Sequence, residues 1–482
     1  MIHKIVSING VGKFVDYSSS ESNYNWNGIF DKNNAIYADN GSGKTTLTQI
    51  LKSLSLPKDR QSLQRRLSFG FNGEQSVQIM DEKSLHIYKQ VGWNKPIKDI
   101  EVFDTFFIEE NVYVISMASI MPNTEIPLLL GANTTSLYQE IEELKKERRK
   151  QTNYRRRLKS QKKQNPNSRD ELTASKIAKS LEKSKLISRE IRLLDEKISN
   201  ELENTELIEA ININLQGLCP HLRLTKLNRK SNNVFVYGLK INEYEVRSDE
   251  TSYSLRQTLS EGEKNALALS FFLAKLSIRQ DLKTTIVIFD DPISSLDYHR
   301  RRVTLNKLRE IARRTNQFIL LSHDINFVKD YVMNSQDVMA LKICNNGKTS
   351  YLTKFDIEKA TLTGLSKDIN IIDDYIKNID KAENSPRDVV RCIRPVLEGF
   401  FRVKYYGYIK DGEWLGDFIK KIKDAKTGEM FAYPESVLLE LEDINDYSKV
   451  YHHSNPNCLE VPLNNAELLS YCKRTLDLLH ML

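Results

Sequence analysis

A glycine-rich loop near the N-terminus restricts the fold of this chain more than any other feature. The apolar run Ala35–Ala38 reads as a strand, and Leu47, Ile50, Leu51 and Leu54 keep the spacing of a helix. Between them stands Ala38-Asp39-Asn40-Gly41-Ser42-Gly43-Lys44-Thr45-Thr46, which fits G-x-x-x-x-G-K-[ST] except that Ala38 replaces the first glycine. Glycines in such a loop let backbone N–H groups turn inward around phosphate oxygens. Lys44 is then expected to reach the terminal phosphates, and the Thr45 hydroxyl to help hold Mg²⁺. The helix N-terminus adds a dipole that favours the anion. A strand, a phosphate loop and a helix in this order belong to an α/β architecture.

The second half of such a site needs a carboxylate at the end of a core strand. Thr284-Thr285-Ile286-Val287-Ile288-Phe289 is a buried strand-like run that ends in Asp290-Asp291-Pro292. Asp290 is expected to support the metal, and Asp291 to orient or deprotonate water. Upstream, Leu259-Ser260-Glu261-Gly262-Glu263-Lys264 opens an amphipathic helix. Downstream follow Ser294-Ser295-Leu296-Asp297 and then Phe318-Ile319-Leu320-Leu321-Ser322-His323.

The two halves are separated by a charged helical insertion. From about Thr134 to Asn204 the chain is rich in Glu, Lys and Arg. Leu137, Ile141, Leu144 and Leu158 lead out, and Ile177, Leu181, Ile191, Leu194, Ile198 and Leu202 lead back around Asn165-Pro166-Asn167-Ser168. This predicts an antiparallel coiled-coil hairpin with arms of about 25–30 residues, roughly 40 Å long. The net charge of +7 is concentrated there: eleven basic residues and one acid between Lys145 and Lys163 carry +10 and leave −3 for the rest. The returning segment, Arg169 to Glu203, has eight acids and eight bases and does not offset it. Arg148, Arg149, Lys150, Arg155, Arg156, Arg157, Lys159, Lys162 and Lys163 therefore form a candidate nucleic-acid surface. With Tyr154 as the lone aromatic, contact with the phosphate backbone is expected rather than base reading.

The order of these pieces resembles the ABC-type ATPases with an inserted coiled coil, such as the SMC and DNA-repair proteins. Leu259–Lys264 resembles the ABC signature, Ser294–Asp297 the D-loop, and His323 the switch histidine. The resemblance implies a two-lobed ABC-type P-loop ATPase with the hairpin between its lobes, using ATP and Mg²⁺ in a sandwich dimer. Ser260, Gly262 and Glu263 then act across a dimer interface on nucleotide held by the other protomer. Lys44, Asp290 and His323 act within one subunit. Two departures stand out: the usual catalytic glutamate is the shorter Asp291, and no Q-loop glutamine follows Phe103, which leaves Asn111 as a candidate. Asp290-Asp291-Pro292-Ile293-Ser294-Ser295-Leu296-Asp297, Phe106–Asn111 and Leu130-Gly131 resemble bacterial antiphage ATPases more closely. These are the PrrC- and RloC-type anticodon nucleases and the PtuA subunit of Septu-like systems.

Beyond Lys359 the sequence reads as a helical module. Val389, Val390, Ile393, Val396, Leu397, Phe400 and Phe401 form an apolar face, with Arg394 and Glu398 on its flank and His452-His453 far downstream. The anticodon nucleases use an Arg-x-x-x-Glu pair with a distant histidine, and Arg394, Glu398 and His453 or His452 match that arrangement. Acid, base and cation for a metal-free ribonuclease would then be present. A surface ion pair one helical turn apart is the plainer reading, and resemblance to the Septu-type ATPase makes the module a docking domain for a separate nuclease. The expected divisions are 1–133, 134–204, 205–358 and 359–482. An ATPase regulating a partner nuclease is the first expectation, a self-contained tRNA anticodon nuclease the second, and an SMC-like DNA clamp the third. The short arm and the missing cysteine hook disfavour the last.

Five scattered cysteines without a C-x-x-C pair argue against a disulfide framework or a zinc site. No apolar run approaches the roughly 18 residues of a membrane span. The N-terminus alternates as a strand (Ile2, Ile5, Val6, Ile8) with no signal-peptide core. A cytoplasmic protein is expected.

Overall fold

The computed structural model describes residues 1–20, 25–55, 63–89, 92–97, 99–112, 132–164, 170–202, 205–226, 237–246, 259–293, 298–379, 384–451 and 460–482. The chain forms two compact units, Met1–Phe355 and Asp356–Leu482.

The first unit begins with β1 (Ile2–Val11), β2 (Phe14–Ser18), β3 (Asn33–Ala38), β4 (Ser76–Asp81), β5 (Leu85–Lys89), β6 (Gly92–Trp93) and β7 (Ile100–Phe103). Helices α1 (Lys44–Ser53) and α2 (Thr105–Val112) lie among them, and the long pair α3 (Ala132–Gln164) and α4 (Asp170–Leu202) follows. After α5 (Thr205–Leu218) come β8 (Leu222–Lys226), β9 (Tyr237–Ile241), β10 (Tyr244–Val246), α6 (Glu261–Ser277), β11 (Ile286–Asp290) and α7 (Tyr298–Arg314). The unit closes with β12 (Gln317–Ser322), α8 (Ile325–Met333), β13 (Val338–Asn345) and β14 (Ser350–Lys354).

Six of these strands make the central sheet in the order β14-β13-β3-β12-β11-β7, parallel except for the edge strand β14. Every residue of β11 and β12 is buried, as expected for strands covered on both faces. Register places Asp290 opposite Leu321, and Ser322 opposite Tyr37. The C-terminal ends of β3, β12 and β11 are therefore level, which is where open α/β sheets bind ligands. Phe103, Phe272, Phe289 and Phe318 pack in a chain of ring contacts 5.2–5.8 Å apart, joining β7, α6, β11 and β12. A five-stranded antiparallel sheet, β2-β1-β4-β5-β6, and a three-stranded sheet, β10-β9-β8, complete the unit.

The α3–α4 hairpin is longer than the sequence reading, with 33 residues in each arm and a length of about 50 Å. Its antiparallel register is set by Glu147–Lys183 at 2.8 Å and by Ser180 Oγ donating to Gln151 Oε1 at 2.8 Å. The seam also differs. Leu181 is exposed, and the face turned toward α3 is Ser180, Ser184, Ile187, Ile191 and Leu194. That spacing is a heptad alternation of four and three, in which two serines replace large apolar residues. Leu181 fails because it lies one step off this stripe.

The second unit is helical among the described residues: α9 (Ile357–Ala360), α10 (Gly364–Lys377), α11 (Pro386–Lys404), α12 (Leu415–Asp424), α13 (Glu435–Lys449) and α14 (Asn465–Met481). Val389, Ile393, Val396, Leu397 and Phe401 turn the apolar face of α11 into a core with Phe418, Leu441, Ile444 and Leu468. Pro395 lies inside α11, and the helix continues through it. No helix among the described residues is long and apolar enough to cross a membrane.

Candidate nucleotide site

The loop after β3 needs left-handed backbone at Gly41 (φ 78°) and Gly43 (φ 114°). A side chain at Gly43 would also press on Phe14, Lys13 and Ser350 at 3.2–3.3 Å. Ser350 Oγ on β14 donates to the Ser42 carbonyl at 2.5 Å and fixes the loop from the far edge of the sheet. No side chain caps the N-terminus of α1, and its first turn holds no acid. The Ser42 hydroxyl is buried without a hydrogen-bond partner. An uncapped helix start, an unsatisfied hydroxyl and a cation together fit a phosphate group.

That cation is Lys44. Its Nζ donates to Asp290 Oδ1 at 2.7 Å and to Asp291 Oδ2. Burial alone would lower the lysine, but the two carboxylates raise it, so it stays protonated. Burial pushes the Asp290 carboxyl up against the opposing pull of Lys44. At Asp291 burial also pushes up, yet Lys44 and His323 override it and the carboxyl is held below its usual range. His323 supplies two contacts to Asp291 Oδ1, its backbone N–H at 3.0 Å and its Nδ1 at 2.8 Å. Asp291 itself has φ 48°, rare for a residue with a side chain, and its N–H is tied to Leu321 O at 2.9 Å. Strained backbone of this kind persists where surrounding bonds impose it.

Lys44, Asp290, Asp291 and His323 thus form one connected group. The residues that would hold a nucleotide are Lys44 and the loop backbone for phosphates, with Thr45 and Asp290 for Mg²⁺. The ion would neutralise phosphate charge, while Asp291 is ionised and held by Lys44 and His323.

Ser260 and Glu263 belong to a second group. Ser260 caps α6 and its hydroxyl accepts from the Glu263 N–H at 3.3 Å, while Glu263 Oε2 accepts from the Ser260 N–H at 2.7 Å. Glu263 Oε1 contacts His221 Nε2 at 2.5 Å. Burial would raise this carboxyl, but His221 and Ser260 bring it down. Ser260 is exposed and Gly262 buried beneath it. Asp297, with Ser294 and Ser295, lies outside the described residues, as does Leu130-Gly131. The side chain of Asn111 is outside them too. After Phe103 the structure instead presents Asp104, fully buried, which accepts from Gln49 Nε2 at 2.7 Å and from the Phe107 N–H at 2.7 Å. It locks α1 to the start of α2. Only its place directly after a strand could have marked it.

In the second unit, Arg394 Nε donates to Glu398 Oε1 at 2.8 Å, one turn apart on α11. The same oxygen accepts the Leu415 N–H at 3.0 Å, so Glu398 anchors the start of α12. His452 and His453 lie outside the described residues. Glu398→Ala is therefore expected to destabilise this unit by about 3 kcal/mol, through an unpaired buried N–H and an uncompensated Arg394. Thermal unfolding should show a fall of several degrees. Glu398→Gln, which keeps an acceptor for Leu415, should recover most of it.

The sheet order, the phosphate loop and the strand-end carboxylates define a P-loop ATPase fold of the ABC type. A family profile described as AAA domain (AAA_13) matches residues 14–235 and 173–433, and the chain belongs to that family. The chain is 27% identical over 228 residues to the uncharacterized chromosomal cassette SCCmec type IVc protein CR006 of Staphylococcus aureus, covering 44% of this chain and 30% of the relative. It is 28% identical over 129 residues to the provisionally named ABC transporter ATP-binding protein PH0132 of Pyrococcus horikoshii, covering 26% and 46%. The chain thus spans less than half the length of either relative. Among solved structures, the Smc head domain of Pyrococcus furiosus with an extended coiled coil, bound to the C-terminal domain of ScpA, overlaps with a TM-score of 0.39. It is 15% identical, covering 74% of this chain and 97% of that one. The SMC head domain of Thermotoga maritima overlaps with a TM-score of 0.32 at 13% identity, covering 74% and 100%.

Proposed function

We propose that this chain is the ATPase subunit of a bacterial antiphage defence system, acting in the cytoplasm, whose ATP-dependent dimerisation regulates a partner nuclease. The observation that carries the reading is the division of the ATP motifs into two groups. Lys44, Asp290, Asp291 and His323 are bonded to one another, while Ser260 and Glu263 are bonded to each other and to His221. A signature serine exposed at a helix N-terminus is suited to the phosphate of a second protomer's nucleotide. The defence assignment rests on the likeness of the Asp290–Asp297 segment to antiphage ATPases.

The second unit is read as the docking module. Glu398 is committed to holding α12, which weighs against a catalytic role. Val403, Tyr406, Tyr408 and Trp414 are exposed within a short stretch of chain, and large exposed aromatics suit a protein partner. Purification from the native operon is the test: a nuclease subunit should copurify. Its absence, together with RNA cleavage by the chain alone that Glu398→Gln abolishes without lowering the melting temperature, would establish the self-contained nuclease instead.

The hairpin is read as the nucleic-acid contact. Arg148, Arg149, Lys150, Arg156, Arg157 and Lys159 are exposed, whereas Arg155 is half-buried and donates to Ser180 O at 3.4 Å. The side chains of Lys162 and Lys163 lie outside the described residues. Reversing Arg149, Arg156 and Arg157 to Glu is expected to weaken nucleic-acid binding and lower its log–log salt slope by about 2–3. Titrations at several salt concentrations measure both. An unchanged slope would return the arm to the role of a solvated surface.

A further inference from the structure

Cys219, His221 and Glu263 are the one group of three metal-ligating side chains found close together among the described residues, with donor atoms within 4.8 Å of one another. The sequence reading set zinc aside because no C-x-x-C pair occurs. The structure builds the constellation differently, from a Cys-Pro-His turn and a glutamate 42 positions downstream.

The frame around these donors is rigid. Cys219 follows the last turn of α5, where its N–H bonds to Leu215 O at 2.7 Å, and its carbonyl accepts the Leu222 N–H at 2.9 Å as β8 begins. The His221 carbonyl accepts from the Asn242 N–H at 2.7 Å. Glu263 is fixed by the capping box it forms with Ser260. Cys219 is fully buried, while the side chains of His221 and Glu263 are 31% and 18% exposed, so one side of the group opens to solvent.

Zinc takes sulfur, imidazole nitrogen and carboxylate oxygen at about 2.0–2.3 Å, which puts tetrahedral ligands roughly 3.3–3.7 Å apart. The Cys219 Sγ to His221 Nε2 separation of 3.6 Å already matches. The 2.5 Å contact between His221 Nε2 and Glu263 Oε1 has to open by about 1 Å. Small rotations of His221 and Glu263 suffice, since Oε2 can stay on Ser260. We propose that Cys219, His221 and Glu263 bind a Zn²⁺-class divalent cation, with solvent in the fourth position, directly beneath the N-terminus of α6. A soft thiolate with imidazole and a single carboxylate selects zinc over magnesium or calcium. Binding releases the Cys219 thiol proton to solvent and clears His221 Nε2 of the proton it shares with Glu263. That proton moves to Nδ1 or, from an imidazolium, leaves to solvent. Two coordinate bonds then replace the His221–Glu263 hydrogen bond.

The test uses Co²⁺ as an optical stand-in for Zn²⁺ on the full chain, stripped with chelator under reducing conditions. One equivalent should produce a thiolate-to-cobalt band in the near ultraviolet with the strong visible bands of four-coordinate cobalt, and Zn²⁺ should bleach both. Cys219→Ser should abolish the near-ultraviolet band, while Cys344→Ser should leave it intact. Because Cys219 is buried and its variant can misfold, His221→Gln is the second probe, expected to weaken Co²⁺ affinity at least about tenfold. A wild-type chain without the thiolate band, a band that survives Cys219→Ser, or affinity unchanged in His221→Gln would overturn the site.

Discussion

Lys44→Ala is expected to reduce ATP turnover by about 10³-fold or more, since it removes the loop's one cation, the group proposed to meet phosphate charge. The structure adds a second consequence. Lys44 is the shared partner of Asp290 and Asp291, with side chains only 11%, 3% and 21% exposed. Removing it leaves two carboxylates facing each other in a buried place. Breaking a buried ion pair from one side costs about 3–5 kcal/mol. The nucleotide-free variant should therefore also unfold at lower denaturant. These effects separate in the double variant Lys44→Ala/Asp290→Asn. Neutralising the more deeply buried carboxylate should restore much of the stability, whereas turnover should remain absent. Denaturant titration alongside phosphate release checks both, and wild-type-like turnover in Lys44→Ala would remove the assignment of the loop.

What the sequence made legible divides along the range of the interactions. The phosphate loop, the strand ending at Asp290 and the histidine after Ser322 are local patterns, readable from strand period and turn chemistry. Parallel pairing of β3, β12 and β11 then brings them together without further information. The contacts that hold the site in shape are of another kind. Ser350 reaches Ser42 across 308 positions of chain, and Asp104 reaches back 55 positions to Gln49. Neither residue belongs to a motif, so neither could be named beforehand. The hairpin shows a subtler loss. Leucine at 181 looks like a seam residue by type, while Ser180 and Ser184 occupy the seam by position. Heptad phase outweighs side-chain polarity when the partner helix offers Gln151 to a serine hydroxyl. His221 was invisible for the same reason as Ser350, since its importance lies in Glu263, on another element.

Ser260→Arg and Asp291→Asn are expected to push ATP-dependent association in opposite directions. Ser260 stands exposed at the start of α6, and a long cationic side chain there would block the approach proposed for a second protomer's phosphate. It would also break the capping box, since arginine cannot accept the Glu263 N–H. That local cost is about 1 kcal/mol, too small to unfold the unit. ATP should still bind through Lys44, but the ATP-induced dimer should be lost. Asp291→Asn keeps the size of the side chain and removes its charge. Lys44 retains Asp290, so phosphate binding should persist, while the carboxylate proposed to activate water is gone. Turnover should fall by about 10²–10⁴-fold, and the associated form should accumulate because ATP is no longer consumed. Sedimentation of each variant with and without ATP distinguishes the two: monomer in both conditions for Ser260→Arg, and a long-lived dimer with ATP for Asp291→Asn. The same oligomer for both variants, whatever the nucleotide, would rule out a site completed across two protomers.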